Sequence, residues 1–174
     1  MSKFSKGVLG LCGSLLMAGV AQADHGEITF HGRVLAPTCV VNGGDGNLPV
    51  TLPDVNASKL VRPGEVAGET PFELRLSNCT HLGSVSTYFE PGPSISDSGR
   101  LIVDEGGSRN VELQLLNSAK RVMNLAAAKG SQNSQTVAIV DGNATLRYYA
   151  QYYSTGSTTP GLVSSKVRYS LDYL

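Results

Sequence analysis

Cysteine and histidine are the residue types in this chain that could support redox, metal or acid–base chemistry. The three cysteines and the three singly placed histidines are Cys12, Cys39, Cys79, His25, His31 and His81. Zinc sites need such ligands at short, regular spacings, and isolated histidines are typical of a solvated surface. The sequence also contains no Gly-x-Ser-x-Gly, His-Glu-x-x-His or phosphate-binding glycine loop. We therefore expect no enzymatic activity, no metal and no cofactor.

The first 23 residues have the pattern of a secretory signal peptide. Two lysines precede an apolar stretch over residues 8–20, and Ala21-Gln22-Ala23 is a small-x-small cleavage site. The apolar stretch is too short and too rich in glycine for a transmembrane helix. Cleavage would leave residues 24–174, and the loss of two lysines and no acid would take the formal charge from 0 to −2. A nearly neutral exported chain argues against nucleic acid or anionic lipid as a partner.

Cleavage also changes which cysteines are available to pair. Cys12 leaves with the signal peptide, so Cys39 and Cys79 remain. An even number of cysteines in an exported chain favours a disulfide. This bond would close a loop of about 40 residues and stabilise the fold by roughly 4 kcal/mol in the chain-entropy model. Metal binding by the pair is the alternative, and the wide spacing without a nearby histidine ligand disfavours it.

Short segments of alternating apolar and polar residues recur between clusters of glycine, proline, asparagine and aspartate. These segments are residues 38–41, 48–52, 72–77, 85–89, 111–115, 143–153 and 163–173. The pattern predicts an all-β sandwich in one domain, with very little helix. Residues 54–68 form a long polar connection with room for one short helical turn.

The mature chain begins and ends with an alternating segment. At the start, the apolar or glycine positions are Gly26, Ile28, Phe30, Gly32 and Val34. At the end, Val167, Tyr169, Leu171 and Tyr173 alternate with polar residues, and Leu174 is the last residue. A half-apolar terminal strand is a sheet edge that proteins normally protect. We expect the chain to use these edges to join to copies of itself, although the first segment could also be an ordinary first strand of the domain.

The chain resembles the major-type subunits of chaperone–usher fimbriae, the type 1 and P pilus family of Gram-negative bacteria. Five features, in this order along the chain, support the resemblance. They are the signal peptide, the alternating arm with Gly32, Cys39 followed by Cys79 in Leu-Ser-Asn-Cys, the tyrosine-rich segment 147–156 before Pro160-Gly161, and the final strand with Tyr173 penultimate. The resemblance extends over residues 24–174.

The resemblance implies an incomplete immunoglobulin-like sandwich that lacks its last strand, with a donor arm over residues 24–36 and a pilin domain over residues 37–174. The missing strand leaves a groove lined in part by the final strand, at Val163, Val167, Tyr169, Leu171, Tyr173 and Leu174. A periplasmic chaperone would lend a strand to this groove and bind the Leu174 carboxylate. At the outer-membrane usher, the arm of the next subunit would replace the chaperone strand, inserting Gly26, Ile28, Phe30, Gly32 and Val34. No nucleotide is implied.

The function implied is that of a structural subunit of a surface fimbrium, which supports cell adhesion or biofilm formation and polymerises with copies of itself or sibling pilins. The alternative is a minor tip or adaptor subunit that binds a host glycan or protein directly. The tyrosines that could form a sugar-stacking platform are Tyr148, Tyr149, Tyr152 and Tyr153. Because strand side chains alternate, one pair of these tyrosines should face the core and the other pair should face outward.

Overall fold

The computed structural model describes residues 28–32, 38–80 and 83–174. The chain divides into two units, Met1–Val34 and Leu35–Leu174. In the first unit, residues 28–32 have no regular secondary structure and are exposed. The predicted signal peptide, Gly26 and Val34 lie outside the described residues, as do His25 and His81.

The domain consists of two antiparallel sheets. The strands are β1 (Val40–Val41), β2 (Val66–Ser77), β3 (Ser84–Phe89), β4 (Leu101–Ile102), β5 (Val111–Leu116), β6 (Thr136–Ala138), β7 (Ala144–Ser154) and β8 (Tyr169–Tyr173). One sheet has the order β1-β2-β7-β5-β4 and the other has the order β6-β3-β8. The only helical elements in the described ranges are two short 3-10 turns, Asn42–Gly44 and Ala57–Lys59. Over these ranges no helix combines the length and hydropathy that crossing a membrane requires. The all-β sandwich is confirmed.

Strand β7 shows how the alternating sequence builds the core. Its inward positions include Leu146 and Tyr148, both 0% exposed, whereas Thr145 and Arg147 face outward. The Tyr148 ring stacks on Phe72 of β2, with 5.5 Å between centroids. The same ring meets Phe89 of β3 edge to face, also at 5.5 Å. Tyr148 therefore packs between the two sheets and fixes their separation at the centre of the core.

The predicted disulfide is confirmed. Cys39 and Cys79 are bonded, with their Cα atoms 4.0 Å apart. Next to them, β1 pairs with the end of β2, with Val40 opposite Ser77. The disulfide therefore fastens the start of the domain to the chain just beyond the end of the long strand β2.

Three features differ from the sequence-based expectations. β4 and β6 were not predicted, because two or three paired residues are too short to show a period. Residues 48–52, which were predicted to be extended, are not assigned to a strand and belong to neither sheet. The last regular strand begins at Tyr169 instead of residue 163. Residues 162–168 are held by separate hydrogen bonds that do not form a regular ladder. The short turn Ala57–Lys59 does lie in the polar connection where one was allowed.

Candidate functional site

A groove runs along the sandwich between two segments that lie almost entirely outside the regular strands. The first wall is residues 46–55 and the second wall is residues 162–169. One cavity lies between residues 46–52 and 165–169, and its volume is about 440 Å³. The next lies between residues 50–57 and 158–163, and its volume is about 630 Å³. The two walls therefore run in opposite directions, and the shared lining residues Val50 and Leu52 make the two cavities one continuous groove.

The floor of the groove is the hydrophobic core itself. Leu74, Leu113 and Ala150 line the first cavity, and they come from three adjacent strands of the five-stranded sheet. Val111 and Tyr152 line the second cavity. A groove whose floor is made of core side chains is an apolar site that extended apolar residues can fill.

The first wall has an unusual backbone. No backbone–backbone hydrogen bond joins residues 47–55 to any other residue that the structure describes. Pro49 and Pro53 have no N–H group to offer, and the Pro53 carbonyl accepts a bond from the Tyr152 hydroxyl at 3.2 Å. The other peptide groups of residues 47–55 are available to a neighbouring strand.

The second wall is hydrogen-bonded on one side. Three of its carbonyls accept bonds from backbone N–H groups beyond the groove: Leu162 from Ser108, Ser164 from Asp104 and Arg168 from Glu90, at 2.7–2.8 Å. In an extended chain the peptide groups of successive residues point to opposite sides. The backbone groups of residues 163, 165 and 167 therefore point toward the first wall, and they have no backbone partner among the described residues.

Hydrogen bonds close both ends of the groove. At one end the Tyr169 hydroxyl donates to the Gly46 carbonyl at 2.5 Å. Just beyond this bond, the Cys39 N–H donates to the Tyr173 hydroxyl at 2.8 Å. At the other end the Thr158 N–H donates to the Leu60 carbonyl at 3.0 Å. A tyrosine hydroxyl is protonated at neutral pH and can donate, and burial raises the pKa of the Tyr169 hydroxyl further above its ordinary value.

A glycine is needed where the second wall begins. An added Cβ at Gly161 would lie 2.9 Å from the Ser108 nitrogen and 3.0 Å from its Cα. Any other residue would push the chain away from the loop before β5. The glycine therefore lets the second wall lie close to the domain and keeps its other edge turned toward the groove.

Residues 52–174 match the family model described as the type 1 fimbrial protein, A. The chain belongs to this family of fimbrial subunits. The match begins within the first wall and extends through both cavities to the last residue.

Two relatives show how far the similarity extends. The major fimbrial subunit SMF-1 of Stenotrophomonas maltophilia (strain K279a) is 42% identical over 161 residues, which cover 88% of this chain and 95% of that one. The F17 fimbrial protein of Escherichia coli is 40% identical over 174 residues, which cover 95% of this chain and 96% of that one. The fimbrial subunit is thus similar to these proteins over nearly its whole length, and its role is that of a structural pilus subunit.

Solved structures show the fold. A chain of a chaperone–usher pilus superposes with a TM-score of 0.61 at 19% identity, covering 87% of this chain and 96% of that one. The P pilus rod subunit PapA superposes with a TM-score of 0.60 at 18% identity, covering 78% and 99%. The fold is therefore the immunoglobulin-like fold of chaperone–usher pilins. As a member of this family, the subunit is exported to the cell surface of a Gram-negative bacterium as part of a fimbrium.

The structure brings three of the predicted groove residues of this fimbrial subunit together. Val163, Val167 and Tyr169 line the two cavities. The other three lie beyond the closed end, where Leu171 pairs with Thr87 and Tyr173 pairs with Val85 on β3. Leu174 exchanges backbone hydrogen bonds with Ser84 and is 65% exposed.

The first wall is the part of the groove that the sequence analysis did not assign. Residues 48–52 were predicted to be extended, but they were not linked to the final strand. A signal was present, because Leu48, Val50 and Leu52 alternate with polar residues and proline. Proline at positions 49 and 53 is typical of a strand that cannot form regular hydrogen bonds with a neighbouring strand on both sides.

The tyrosine-rich strand divides between the two faces of its sheet. Tyr148 and Tyr152 are buried in the core. On the outer face, the Arg100 guanidinium carbon lies 3.6 Å from the Tyr153 ring centroid, and the Lys120 ammonium lies 5.0 Å from the Tyr149 centroid. A cation therefore covers one face of each outer ring. This arrangement does not favour the outer tyrosines as a sugar-stacking platform.

Proposed function

We propose that the groove receives the N-terminal arm of another subunit, so that subunits join head to tail by strand addition. The observation that carries the proposal is the pair of backbone edges facing each other across an open core. On one side are residues 47–55, and on the other are the peptide groups of residues 163, 165 and 167. A single strand lying between them would complete both ladders and cover the floor.

The arm has the side chains that such a strand needs. Ile28 is 77% exposed and Phe30 is 87% exposed, and they share a phase with Val34. Burying all three would stabilise the contact by about 5–9 kcal/mol, and each ladder hydrogen bond would add roughly 0.5–1.5 kcal/mol. An added Cβ at Gly32 would meet no described atom within 4 Å. Because a glycine weakens an ordinary strand, we attribute its place in the arm to close approach to another backbone when the arm inserts.

The lengths of arm and groove agree. The inserting positions of the arm run from residue 26 to residue 34, which is nine residues. The first wall without backbone hydrogen bonds, residues 47–55, is also nine residues long. Extended chains rise about 3.3 Å per residue, so both segments are about 30 Å long. The arm would fill the groove from end to end.

The arm and the groove are different surfaces, so the contact is heterologous and does not close on itself. Repeated contacts of this kind generate a filament. The free energy comes from completing the fold, and neither a nucleotide nor any catalytic activity of the subunit is required. Strand completion also predicts a filament that dissociates very slowly.

Before assembly, the same apolar groove would have to be covered during export. A periplasmic chaperone that lends a strand would satisfy the same backbone edges. The Leu174 carboxylate, next to its hydrogen bond with Ser84, would then bind basic residues of the chaperone. Delivery to the outer-membrane usher would let the arm of the next subunit replace the chaperone strand.

The test uses the full mature chain carrying Ile28→Asp and Phe30→Asp, which we call the arm-disabled chain. Its groove is intact, but its own arm carries charges that an apolar groove rejects. Thermal unfolding is measured with and without a synthetic peptide of residues 24–36. We expect a large rise in melting temperature that reverses slowly after the free peptide is removed.

The matched control is the same peptide with both aspartate substitutions, which should cause no shift. If the unsubstituted peptide also causes no shift and the arm-disabled chain is already highly stable, the sandwich is complete by itself. Strand addition would then be excluded.

A further inference from the structure

The Tyr169 side chain crosses the groove at one end. Its backbone belongs to the second wall, and its hydroxyl donates to the carbonyl of Gly46 on the first wall. Both residues line the cavity at that end. A side chain that starts on one wall and is hydrogen-bonded to the other occupies the space between them. The ring therefore takes up space at this end that a side chain of an inserted strand would otherwise enter.

A second tyrosine supports the same end from behind. The Tyr173 hydroxyl accepts a hydrogen bond from the N–H of Cys39, which is held by its disulfide to the end of β2. The two tyrosine hydroxyls thus join the C-terminal segment to the start of the domain at two successive points. The tyrosine end of the groove is therefore fixed before any strand arrives.

Register is the feature of strand addition that alternation alone does not determine. A shift by one residue would turn the apolar positions of the arm away from the floor. A shift by two residues keeps every apolar position on the same face, so it needs another barrier. The arm contains apolar or glycine residues at every second position from 26 to 34, and a two-residue shift would move each of them to a neighbouring position.

We propose that Tyr169 sets the register of the inserted arm by admitting only Gly26 at the tyrosine end of the groove. This inference rests on the proposed function and names a specificity-determining residue for it. The two end positions of the arm are Gly26 and Val34, and only the glycine lacks a side chain that would meet the tyrosine ring. A shift of two residues in one direction would place Ile28 on the ring. A shift in the other direction would bring Asp24 there.

The proposal also fixes the direction of the arm. With Gly26 next to Tyr169, Val34 lies at the opposite end, near Val163 and the 630 Å³ cavity. The arm then runs parallel to the first wall and antiparallel to the second wall. Ile28, Phe30 and Gly32 lie over the floor between these ends.

The experiment measures binding of fluorescent peptides of residues 24–36 to the full-length arm-disabled chain. Replacing Gly26 by Val in the peptide should weaken binding at least about tenfold, because the new side chain meets the Tyr169 ring. Adding Tyr169→Ala to the chain should reduce this penalty to less than about threefold. Tyr169→Phe keeps the ring and should keep the penalty.

Two matched controls separate register from general damage. A Gly32→Val peptide should lose affinity equally for the arm-disabled chain (the parent chain) and for the same chain carrying Tyr169→Ala, because position 32 lies elsewhere in the groove. Tyr153→Ala removes a tyrosine on the outer face of the sheet. It should not change the ratio between the affinity of any substituted peptide and that of the unsubstituted peptide. Binding of the unsubstituted peptide by each variant reports whether its groove has formed.

The outcomes are distinguishable. If the unsubstituted peptide binds and the Gly26→Val peptide binds equally well to the parent chain, the inference about Tyr169 is overturned, whether or not the Tyr169→Ala chain folds. The same conclusion follows if Tyr169→Ala relieves the Gly32→Val penalty as much as the Gly26→Val penalty. If the unsubstituted peptide does not bind the parent chain, both the inference and the proposed function fail.

Discussion

The two layers of the sandwich bury the same kinds of side chain but differ in how their backbones are satisfied. In the five-stranded sheet, β7 pairs with β2 on one side and with β5 on the other. Its inward residues are fully covered, and Leu146 and Tyr148 are 0% exposed. In the opposite layer, β3 pairs with two short neighbours, and the alternating residues of the C-terminal segment are only half-buried. The second layer also contains the groove.

This comparison separates two requirements that usually coincide. Alternation places apolar side chains over a core, whereas a ladder requires a partner strand on each side. The first wall and the C-terminal segment meet the first requirement and lack the second along the groove. The layer is therefore open at one strand position, and its stability should depend on another chain more than that of the five-stranded sheet does.

The largest expected effect comes from the arm. Phe30→Asp replaces an apolar side chain with a charge and should weaken insertion by at least about 4 kcal/mol, or about 1,000-fold. Surface polymers, measured as ladders of sheared filaments on gels, should disappear. The chaperone complex should persist, because the arm takes no part in it. Normal polymers from this variant would contradict the arm assignment.

A mixing experiment sharpens the same point. A chain with Leu52→Arg has an intact arm and a groove that carries a charge in both cavities. Mixed with the arm-disabled chain, it should yield dimers and nothing longer, because one partner only donates and the other only accepts. Long polymers in the mixture would show that some other surface joins the subunits.

The second effect concerns the disulfide, which fastens the edge of the five-stranded sheet next to the closed end of the groove. Replacing both Cys39 and Cys79 by Ser should lower the free energy of unfolding by about 2–5 kcal/mol, since a loop of 40 residues is no longer closed in the unfolded chain. Chemical denaturation of the arm-disabled chain with bound peptide measures this. A change below about 1 kcal/mol would contradict the predicted stabilisation.

The third effect concerns a place where the weaker layer completes its own ladder with a side chain. Gln132 is 2% exposed, and its amide exchanges hydrogen bonds with the N–H and carbonyl of Phe89 at 2.9 and 2.7 Å. Gln132→Leu would leave both groups of Phe89 buried and unpaired, and should destabilise the fold by about 2–3 kcal/mol. Denaturant unfolding provides the measurement.

The control is Gln135→Leu. The Gln135 side chain also bonds two backbone groups, of Ser118 and Arg147, but it is only half-buried, so water can replace it. This substitution should cost less than about 1 kcal/mol. Equal losses of stability for the two variants would mean that the Gln132 amide does not take the place of a neighbouring strand in bonding Phe89.

The smallest effect is a gradual loss of stability at high pH. Burial raises the pKa of Tyr148 in the core and of Tyr169 at the groove end above their ordinary value. The unfolded tyrosines ionise near pH 10, whereas the folded ones still hold their protons. The free energy of unfolding should therefore be unaffected below about pH 10 and should fall as the pH rises above it. In Tyr148→Phe the loss of stability at high pH should be smaller. If the free energy of unfolding of this variant had the same pH dependence as that of the unsubstituted chain, Tyr148 would not contribute to the loss.

The sequence was sufficient to predict the sandwich because burial in β7, β5 and β2 follows side-chain alternation directly. It was also sufficient for the disulfide, since only Cys39 and Cys79 remain after the predicted cleavage. The groove could be inferred only in part. Val163, Val167 and Tyr169 have a visible period, but the position of the second wall opposite residues 46–55 depends on contacts between segments more than 100 residues apart.

Other features depend on geometry that no local pattern contains. The bond from Tyr169 to Gly46 joins residues separated by 123 positions, and the sequence marks neither residue as its partner. β4 and β6 are too short to show a period, and Gln132 resembles any polar loop residue until its burial is known. The predicted roles of Gly26 and Val34 remain predictions.

Amide hydrogen exchange along the second wall tests the central claim most directly. In the arm-disabled chain without peptide, the amides of residues 163, 165 and 167 should exchange rapidly. With saturating peptide of residues 24–36 they should slow by at least about 100-fold, whereas the amides of β7 should be slow in both states. Protection of these three amides without any peptide would show that the ladder is already complete, and would contradict the account.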